Sequence, residues 1–253
     1  MKVGLLKTSL VNFPGRVCAA VFLPGCNLRC PFCHNGELAC APVATGPSGG
    51  TGETESYVEI EEAYAHLEKR SRVLGGLAIS GGEPFLSPAL PDLIRKARNL
   101  GLQVKIDTNG TLTDRLKTFL ADPELRPDMI AVDVKTSLSR YGELAIEERA
   151  GPRLAEELQK TLQILKDEAL RGGNASRPLR VEYRTVLVPG LVGEKELREI
   201  ASLLPESADW ELAGFISGVC LDPVWNEKTP YGPEETRRLA SLAQSLIPGA
   251  KLR

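Results

Sequence analysis

The sequence of 253 residues lacks the features that mark several classes of protein. It has no excess of positive charge, because 31 Lys and Arg residues stand against 33 Asp and Glu residues, for a formal net charge of -2. A chain without a basic field is not expected to bind nucleic acid in general. No apolar run is long enough to span a bilayer, and the first 17 residues lack the apolar core of a signal peptide. We therefore expect a cytoplasmic protein that associates with neither nucleic acid nor membranes.

The remaining composition is that of a folded protein. Hydrophobic residues make up 42% and charged residues 25%, which excludes a largely disordered or fibrous chain. The chain is long enough to bury a core without disulfides. We find neither a repeat of fixed period nor a clear linker, so we expect a single domain over residues 1–253. Residues 41–56 are rich in Gly, Pro, Ser and Thr, which predicts a flexible insertion loop.

Short apolar runs typical of strands alternate with longer amphipathic stretches typical of helices. The predicted strands are residues 17–23, 76–80, 102–106, 129–134, 181–188 and 210–215. The predicted helices are residues 57–70, 88–100, 113–120, 154–169, 194–203 and 233–245. Such alternation argues for a parallel sheet with helical crossovers, and about six units are too few for an eight-stranded barrel. The predicted fold class is α/β, an open, partial (β/α)6 barrel of the TIM type.

The cysteines are unevenly distributed along the chain. Three of the six, Cys26, Cys30 and Cys33, fall within eight residues after the first predicted strand, and the others are scattered. This is a poor disulfide framework and a good set of metal ligands. Three thiolates on one loop can hold three irons of a cubane iron–sulfur cluster and leave the fourth iron open. The alternative is a structural zinc site, completed by His34 or Cys40.

The spacing C-x3-C-x-aromatic-C in CNLRCPFC resembles that of the radical S-adenosylmethionine (SAM) enzymes. The resemblance implies that Cys26, Cys30 and Cys33 bind a catalytic [4Fe-4S] cluster, whose open iron takes the amino and carboxylate groups of S-adenosylmethionine. One electron then cleaves this cofactor to methionine and a 5′-deoxyadenosyl radical. Phe32, the aromatic residue of the motif, would lie at the cofactor's adenine, and an ordinary core aromatic of the loop is the alternative. The partial barrel is the fold of this family.

A second motif, Ser80-Gly81-Gly82-Glu83-Pro84, follows the second predicted strand. Glycines let a backbone approach a ligand closely, and a carboxylate can accept a hydrogen bond from an ammonium group. At the carboxyl end of this strand, where α/β barrels place their active sites, the motif resembles the one that binds the cofactor amine in the family. We expect Gly81, Gly82 and Glu83 to bind the cofactor, with a plain turn as the alternative.

The third and fourth predicted strands end in the motifs DTNG and DVK. We expect Asp107 and Asp133 to face one pocket, where two close carboxylates repel unless a cation lies between them. Lys135 is one candidate for that charge, and a bound monovalent metal ion is the other. Thr108 and Lys135 suit the cofactor's carboxylate or ribose hydroxyls, and Asn109 is a further candidate whose alternative is a plain Asn-Gly turn. 

Weaker candidates stand at the ends of the last two predicted strands. Arg184 points inward among acidic groups or sits on the barrel rim, and Phe215 walls the adenine pocket or belongs to the core.

Within the family, the order of SLVNFPG, CNLRCPFCHN, SGGEP, DTNG, VDVK and RTVLVPG resembles the activating enzymes of glycyl radical enzymes, most closely those for anaerobic ribonucleoside-triphosphate reductase. The resemblance covers nearly the whole chain. It implies hydrogen abstraction from a glycine Cα of a protein partner, with a flavodoxin- or ferredoxin-type electron donor. Formate-lyase activators carry a histidine near the end of the sixth strand, but ELAGFISG has none. Asn12 also stands where Asp is more common.

Other functions remain open. One is activation of pyruvate formate-lyase, and another is a radical enzyme for a small molecule or nucleotide, such as a queuosine-pathway synthase. A third is a zinc- or cluster-binding module that only docks to a partner. A single cysteine cluster disfavours activators with added ferredoxin-like domains.

Overall fold

A computed structural model describes residues 1–48, 56–171 and 178–253 of the chain. Its strands are β1 (Lys2–Ser9), β2 (Cys18–Leu23), β3 (Ser56–Glu59), β4 (Gly76–Gly81), β5 (Gln103–Thr108), β6 (Met129–Asp133), β7 (Arg180–Leu187), β8 (Asp209–Gly214) and β9 (Ala250–Leu252). Its α-helices are α1 (Gly36–Cys40), α2 (Ile60–Arg70), α3 (Leu90–Asn99), α4 (Thr113–Ala121), α5 (Gly151–Arg171), α6 (Glu194–Leu203) and α7 (Pro233–Leu246).

The six predicted strands correspond to β2 and to β4 through β8, with ends that agree within two residues. The prediction of one helix over residues 57–70 is wrong at its start. Ser56–Glu59 forms strand β3, which pairs antiparallel with β1, and the helix begins at Ile60. Tyr57 and Val58 are residues that favour strands, and the backbone of β1 gives them partners that the local pattern does not reveal. The sequence interpretation also missed β1, α1 and β9.

The strands form one sheet in the order β3-β1-β2-β4-β5-β6-β7-β8-β9. Strand β1 pairs antiparallel with β2 and β3. The pairs β2–β4, β4–β5, β7–β8 and β8–β9 are parallel, as expected when helices connect successive strands. The sheet ends at β3 and β9 and is not closed into a full barrel, so the predicted α/β fold with an open sheet is confirmed.

The described chain divides into two compact units. The first contains residues 1–27, 35–108 and 114–130, and the second contains residues 28–34, 109–113 and 131–253. The core of the first includes Phe13, Cys18, Phe22, Leu38 and Met129, all of them buried. In the second, Tyr141, Leu158, Leu165 and Trp210 are fully buried. The expectation of a single domain stays a prediction.

The predicted insertion loop lies partly outside the described residues, which omit 49–55. Its described beginning is tied to β1, because the Lys2 backbone N–H donates to the Thr45 carbonyl at 2.9 Å. Its last residue, Ser56, belongs to β3. The flexibility of the rest stays a prediction. No helix among the described residues is both long and apolar enough to cross a membrane.

Candidate functional site

The cysteine loop begins at a turn that leads out of β2. Gly25 has φ +83°, a conformation that favours glycine, and its N–H donates to the Leu38 carbonyl at 2.9 Å. Cys26 follows this turn in the first unit. In the second unit, the Cys33 N–H donates to the Cys30 carbonyl at 3.0 Å, which folds the loop back on itself. Chain geometry therefore bends the loop both before the first cysteine and between the last two.

The donor chemistry of this loop fits an iron–sulfur cluster. None of the three cysteines forms a disulfide, and Cys30 is buried while the other two are half-buried. The described residues contain no group of three or more His, Cys, Asp or Glu side chains that could hold a single metal ion. A cubane cluster spreads its protein ligands over separate irons, so its thiolates do not converge on one point. Cys18, by contrast, is buried in β2, and Cys40 is exposed at the end of α1.

The glycines of the SGGEP motif bring two segments of backbone together. A Cβ on Gly81, which has φ +118°, would lie 2.3 Å from the Leu23 carbonyl oxygen, and one on Gly82 would lie 2.0 Å from the Gly25 oxygen. The Gly82 N–H donates to the Leu23 carbonyl at 2.9 Å. These glycines are therefore required by the turn that precedes Cys26, which is a reason the sequence did not reveal. Their contact with a cofactor stays a prediction.

Glu83 is completely buried at the end of this motif. The Thr108 hydroxyl donates to its carboxylate, at 2.9 Å from Oε1 and 3.0 Å from Oε2, and the Phe85 N–H donates to Oε1 at 3.1 Å. The structure thus brings together Glu83 and Thr108, which the sequence analysis had assigned to different strand ends. An ammonium group is a ligand that a buried carboxylate can recognise.

Asp107 forms an ion pair that the sequence analysis missed. Lys105 Nζ lies 2.5 Å from Asp107 Oδ1, and the Lys105 side chain is only 2% exposed. The two residues are two positions apart on β5, so their side chains leave the same face of the strand. A lysine within a predicted strand, two residues before the aspartate, is the signal that could have identified the pair.

Asn109 organises the turn that follows β5. Its side-chain oxygen accepts hydrogen bonds from the Thr111 N–H at 3.0 Å and from the Thr111 hydroxyl at 2.7 Å. Gly110 then has φ +75°. These bonds give Asn109 a structural role in the turn, and its contact with a cofactor stays a prediction.

Asp133 lies between two cations at the end of β6. Arg184 Nε donates to Oδ1 at 2.8 Å, and Lys135 Nζ donates to Oδ2 at 3.2 Å. Burial raises the pKa of Asp133, but Arg184 and then Lys135 outweigh it and hold this pKa well below its usual range. Arg184, left open between an inward position among acidic groups and the barrel rim, thus contacts one acidic group, Asp133. 

The pKa of Lys135 depends on the cysteine loop as well as on Asp133. Burial lowers the pKa of Lys135, but the negative charges of Asp133, Cys30 and Cys33 outweigh burial and raise it above its usual value. Its backbone N–H donates to the buried Tyr141 hydroxyl at 3.3 Å. The structure therefore places a fixed positive charge near two of the three predicted cluster ligands.

Aromatic residues flank the end of the cysteine loop. The Phe32 ring is buried with its centroid 6.1 Å from that of Trp225, and the His34 and Phe215 rings are 6.4 Å apart. His34 Nε2 lies 2.7 Å from the Ile216 carbonyl oxygen. A histidine thus stands next to the end of β8, although the segment of sequence around that strand end has none.

The predicted site residues fall in both units. Cys26, Gly81, Gly82, Glu83, Asp107 and Thr108 belong to the first, and Cys30, Phe32, Cys33, Asn109, Asp133 and Lys135 belong to the second. Each unit therefore contains six of the predicted residues, and assembly of one cofactor site from both stays a prediction.

Comparison with known families gives one match that covers most of the chain. The family model of the radical SAM superfamily matches residues 20–204. This span contains every cysteine of the loop and the motifs at the ends of β4, β5 and β6.

Three curated relatives are similar over most of the chain. A protein of Methanocaldococcus jannaschii with the provisional name glycyl-radical enzyme activating enzyme is 26% identical over 99% of this chain and 94% of its own. A 7-carboxy-7-deazaguanine synthase of Methanopyrus kandleri is 26% identical over 81% of this chain and 82% of its own. A pyruvate formate-lyase-activating enzyme of Clostridium pasteurianum is 27% identical over 77% of this chain and 72% of its own.

Solved structures share the fold. TYW1 with a bound lysine-pyruvate adduct matches with a TM-score of 0.57 at 20% identity, over 90% of this chain and 73% of that one. Streptococcus suis SuiB bound to the precursor peptide SuiA matches with a TM-score of 0.58 at 16% identity, over 91% of this chain and 46% of that one.

Proposed function

The chain belongs to the radical SAM superfamily, whose enzymes use a [4Fe-4S] cluster and S-adenosylmethionine, and we propose that it is an activating enzyme for a glycyl radical enzyme. The partner we propose first is an anaerobic ribonucleoside-triphosphate reductase, with pyruvate formate-lyase as the second. A flavodoxin- or ferredoxin-type protein would supply the electron.

One observation carries this proposal. The Methanocaldococcus jannaschii relative aligns with 99% of this chain and 94% of its own length, so the likeness extends well beyond the cysteine motif. The formate-lyase activator of Clostridium pasteurianum supports the same class of reaction over 77% of this chain. Both relatives therefore support the same class of reaction.

The residues of this chain have distinct parts in the proposed reaction. Cys26, Cys30 and Cys33 would hold the cluster, and the cluster with S-adenosylmethionine would supply the radical chemistry that removes a hydrogen atom from the substrate. Glu83, held by Thr108, would accept a hydrogen bond from the cofactor's ammonium group. Lys135, whose charge is maintained by Asp133, would attract the cofactor's carboxylate.

The end of β8 fits a protein substrate better than a small polar one. Ala213, Gly214, Phe215 and Ile216 offer no side-chain hydrogen-bonding groups there. A small molecule needs a few precisely positioned polar groups to orient it for reaction, whereas a peptide can be bound along its whole length. SuiB, which has this fold, is known in a complex with a precursor peptide.

A second candidate function is supported by the Methanopyrus kandleri synthase, which is similar over 81% of this chain. In that case the substrate would be a free nucleotide or pterin. It would take the place of the partner's glycine, while the cluster and cofactor residues would keep the same parts.

The deciding experiment is anaerobic activation of a partner. The cluster-loaded chain, a reductant and S-adenosylmethionine are mixed with anaerobic ribonucleotide reductase, then with pyruvate formate-lyase. We expect a glycine-centred doublet in the electron paramagnetic resonance spectrum and faster release of 5′-deoxyadenosine. A partner variant with the radical glycine changed to alanine is the matched control. If neither partner acquires a radical while a nucleotide or pterin loses hydrogen, the activase proposal is wrong.

The cluster assignment has its own test. Cys30→Ala should lose the cluster, because three thiolates leave no spare ligand, whereas Cys40→Ala should retain about four irons and four sulfides per chain. Iron and sulfide analysis after anaerobic reconstitution measures both. A cluster of ordinary content in the Cys30→Ala variant would contradict the assignment.

A further inference from the structure

A segment after β8 lies against the cysteine loop. We call residues 216–228 the strap. Two backbone N–H groups of the strap donate to carbonyls of the loop, Leu221 to Cys33 at 2.9 Å and Asp222 to Pro31 at 3.0 Å. These carbonyls stand on either side of Phe32 and include that of a predicted cluster ligand. The strap therefore fixes the loop backbone where it approaches its last cysteine.

Side chains reinforce the same contact. The Trp225 and Phe32 ring centroids are 6.1 Å apart at an interplanar angle of 44°, a separation at which aromatic rings attract each other. His34 Nε2 lies 2.7 Å from the Ile216 carbonyl at the beginning of the strap. The loop is thus held at both Phe32 and His34, the two neighbours of Cys33.

The strap is itself braced. The Asp222 carboxylate accepts a hydrogen bond from the Val224 N–H at 3.0 Å and caps the short 3-10 helix Pro223–Glu227. The Asn226 side chain accepts one from the Cys220 N–H at 2.7 Å. Lys228 Nζ lies over the Trp225 ring, 4.1 Å from its centre, and forms a cation–π contact with it. Trp225 is therefore presented to the loop by a segment with its own internal bonds.

We propose that the strap positions the cluster loop and that Trp225 is its principal positioning residue. It acts through Phe32 and the loop backbone to hold Cys33 in its liganding geometry and to keep water from it. Ligands that are held in place before the cluster binds lose it more slowly than ligands on a free loop. This inference depends on superfamily membership and not on the identity of the substrate.

The test compares three variants of the cluster-loaded chain. Trp225→Ala should lose cluster absorbance in air or in the presence of a chelator about two- to tenfold faster than the wild type, the range that one aromatic contact supplies. Trp225→Phe should lose its cluster at a rate close to that of the wild type. Val224→Ala is the matched control, because Val224 is an adjacent apolar residue that is 75% exposed, and it should behave as the wild type.

A spectroscopic measurement separates positioning from general destabilisation. In Trp225→Ala, the reduced cluster should change its electron paramagnetic resonance spectrum and its potential should become less negative, because water favours the more highly charged reduced form. Val224→Ala should change neither. Equal cluster lifetimes and spectra in Trp225→Ala and Val224→Ala would overturn the proposal.

Hydrogen exchange measures the contact between the strap and the loop in the wild-type chain, without any substitution. In the wild-type chain without its cluster, the Leu221 and Asp222 amides should exchange at least about tenfold more slowly than in an unstructured peptide, because both are bonded to the loop. Exchange at the unstructured rate would show that the strap does not hold the loop before the cluster binds.

Discussion

Asp107 and Asp133 have the same predicted role and opposite surroundings. Asp107 is 8% exposed and forms an ion pair with Lys105, which is itself buried in the strand. The Asp133 side chain is 30% exposed and lies between an arginine and a lysine. The charge of Asp107 is therefore buried beside a buried cation. The charge of Asp133, in contrast, is stabilised by two cations and also by contact with water.

This difference predicts different consequences of mutation. Breaking a buried ion pair leaves a charge without a partner in a medium that solvates it poorly, and the cost greatly exceeds the net stability of the pair. A partly exposed pair is weak, and water compensates for its loss. We therefore expect Asp107 to matter for folding as well as chemistry, and Asp133 to matter mainly for the local charge beside Cys30 and Cys33.

The largest expected effect comes from Lys105→Met. This change removes the cation and leaves Asp107 buried, so the free energy of unfolding should fall by about 3–5 kcal/mol. Equilibrium urea unfolding of the cluster-free chain, followed by circular dichroism, measures it. The double variant Lys105→Met/Asp107→Asn should recover part of the loss. A loss below about 1 kcal/mol in Lys105→Met would show that the two carboxylates do not differ as described.

A smaller effect is expected at the other carboxylate. Arg184→Met should lower the free energy of unfolding by about 1 kcal/mol or less, because Lys135 and water still solvate Asp133. Adding Lys135→Met should cost more than it does in the wild type, because Asp133 then loses its second cation. The same urea titrations provide the measurement. Strict additivity of the two changes would mean that the cations do not share Asp133.

The pH dependence of stability sharpens the description of Asp133. Its pKa is lower in the folded chain than the usual value of about 3.9, so its ion pairs stabilise the fold above that pH and are lost as the pH falls through the folded pKa. The stability difference between the wild type and Asp133→Asn should be constant from about pH 7 to 5 and shrink below about pH 4. Urea titrations over this range test it. A difference that grows toward low pH would have the wrong sign.

The polar residues at these strand ends could be predicted from the sequence more readily than the side chains that contact them. Asp107 and Asp133 stand out because each directly follows an apolar residue of a predicted strand, and Glu83 stands out because it closes the SGGE turn after another strand. Lys105 lies within such a strand, where a charge is easily taken for a solvent-facing residue.

Contacts between distant segments left no local signal. His34 meets Ile216 across 182 residues, and the partner of Phe32 is Trp225 in an irregular segment. Likewise, β1 and β3 become strands through mutual pairing rather than through a pattern of their own. Such features follow from the assembled backbone, which single-sequence patterns do not specify.

The smallest expected effect concerns a monovalent cation. The sequence analysis left open whether Lys135 or a bound ion offsets the repulsion between Asp107 and Asp133. The structure gives Asp107 a lysine at 2.5 Å, and it gives Asp133 an arginine at 2.8 Å and a lysine at 3.2 Å. Each carboxylate thus has a resident cation, so an added ion gains little Coulomb energy and still loses its hydration. We expect the affinity for S-adenosylmethionine to differ by less than about twofold among sodium, potassium and choline salts at equal ionic strength. Isothermal titration of the cluster-loaded chain measures it. A larger preference for one metal ion that disappears in Asp133→Asn would show that the lysine and arginine leave Asp133 able to bind an ion.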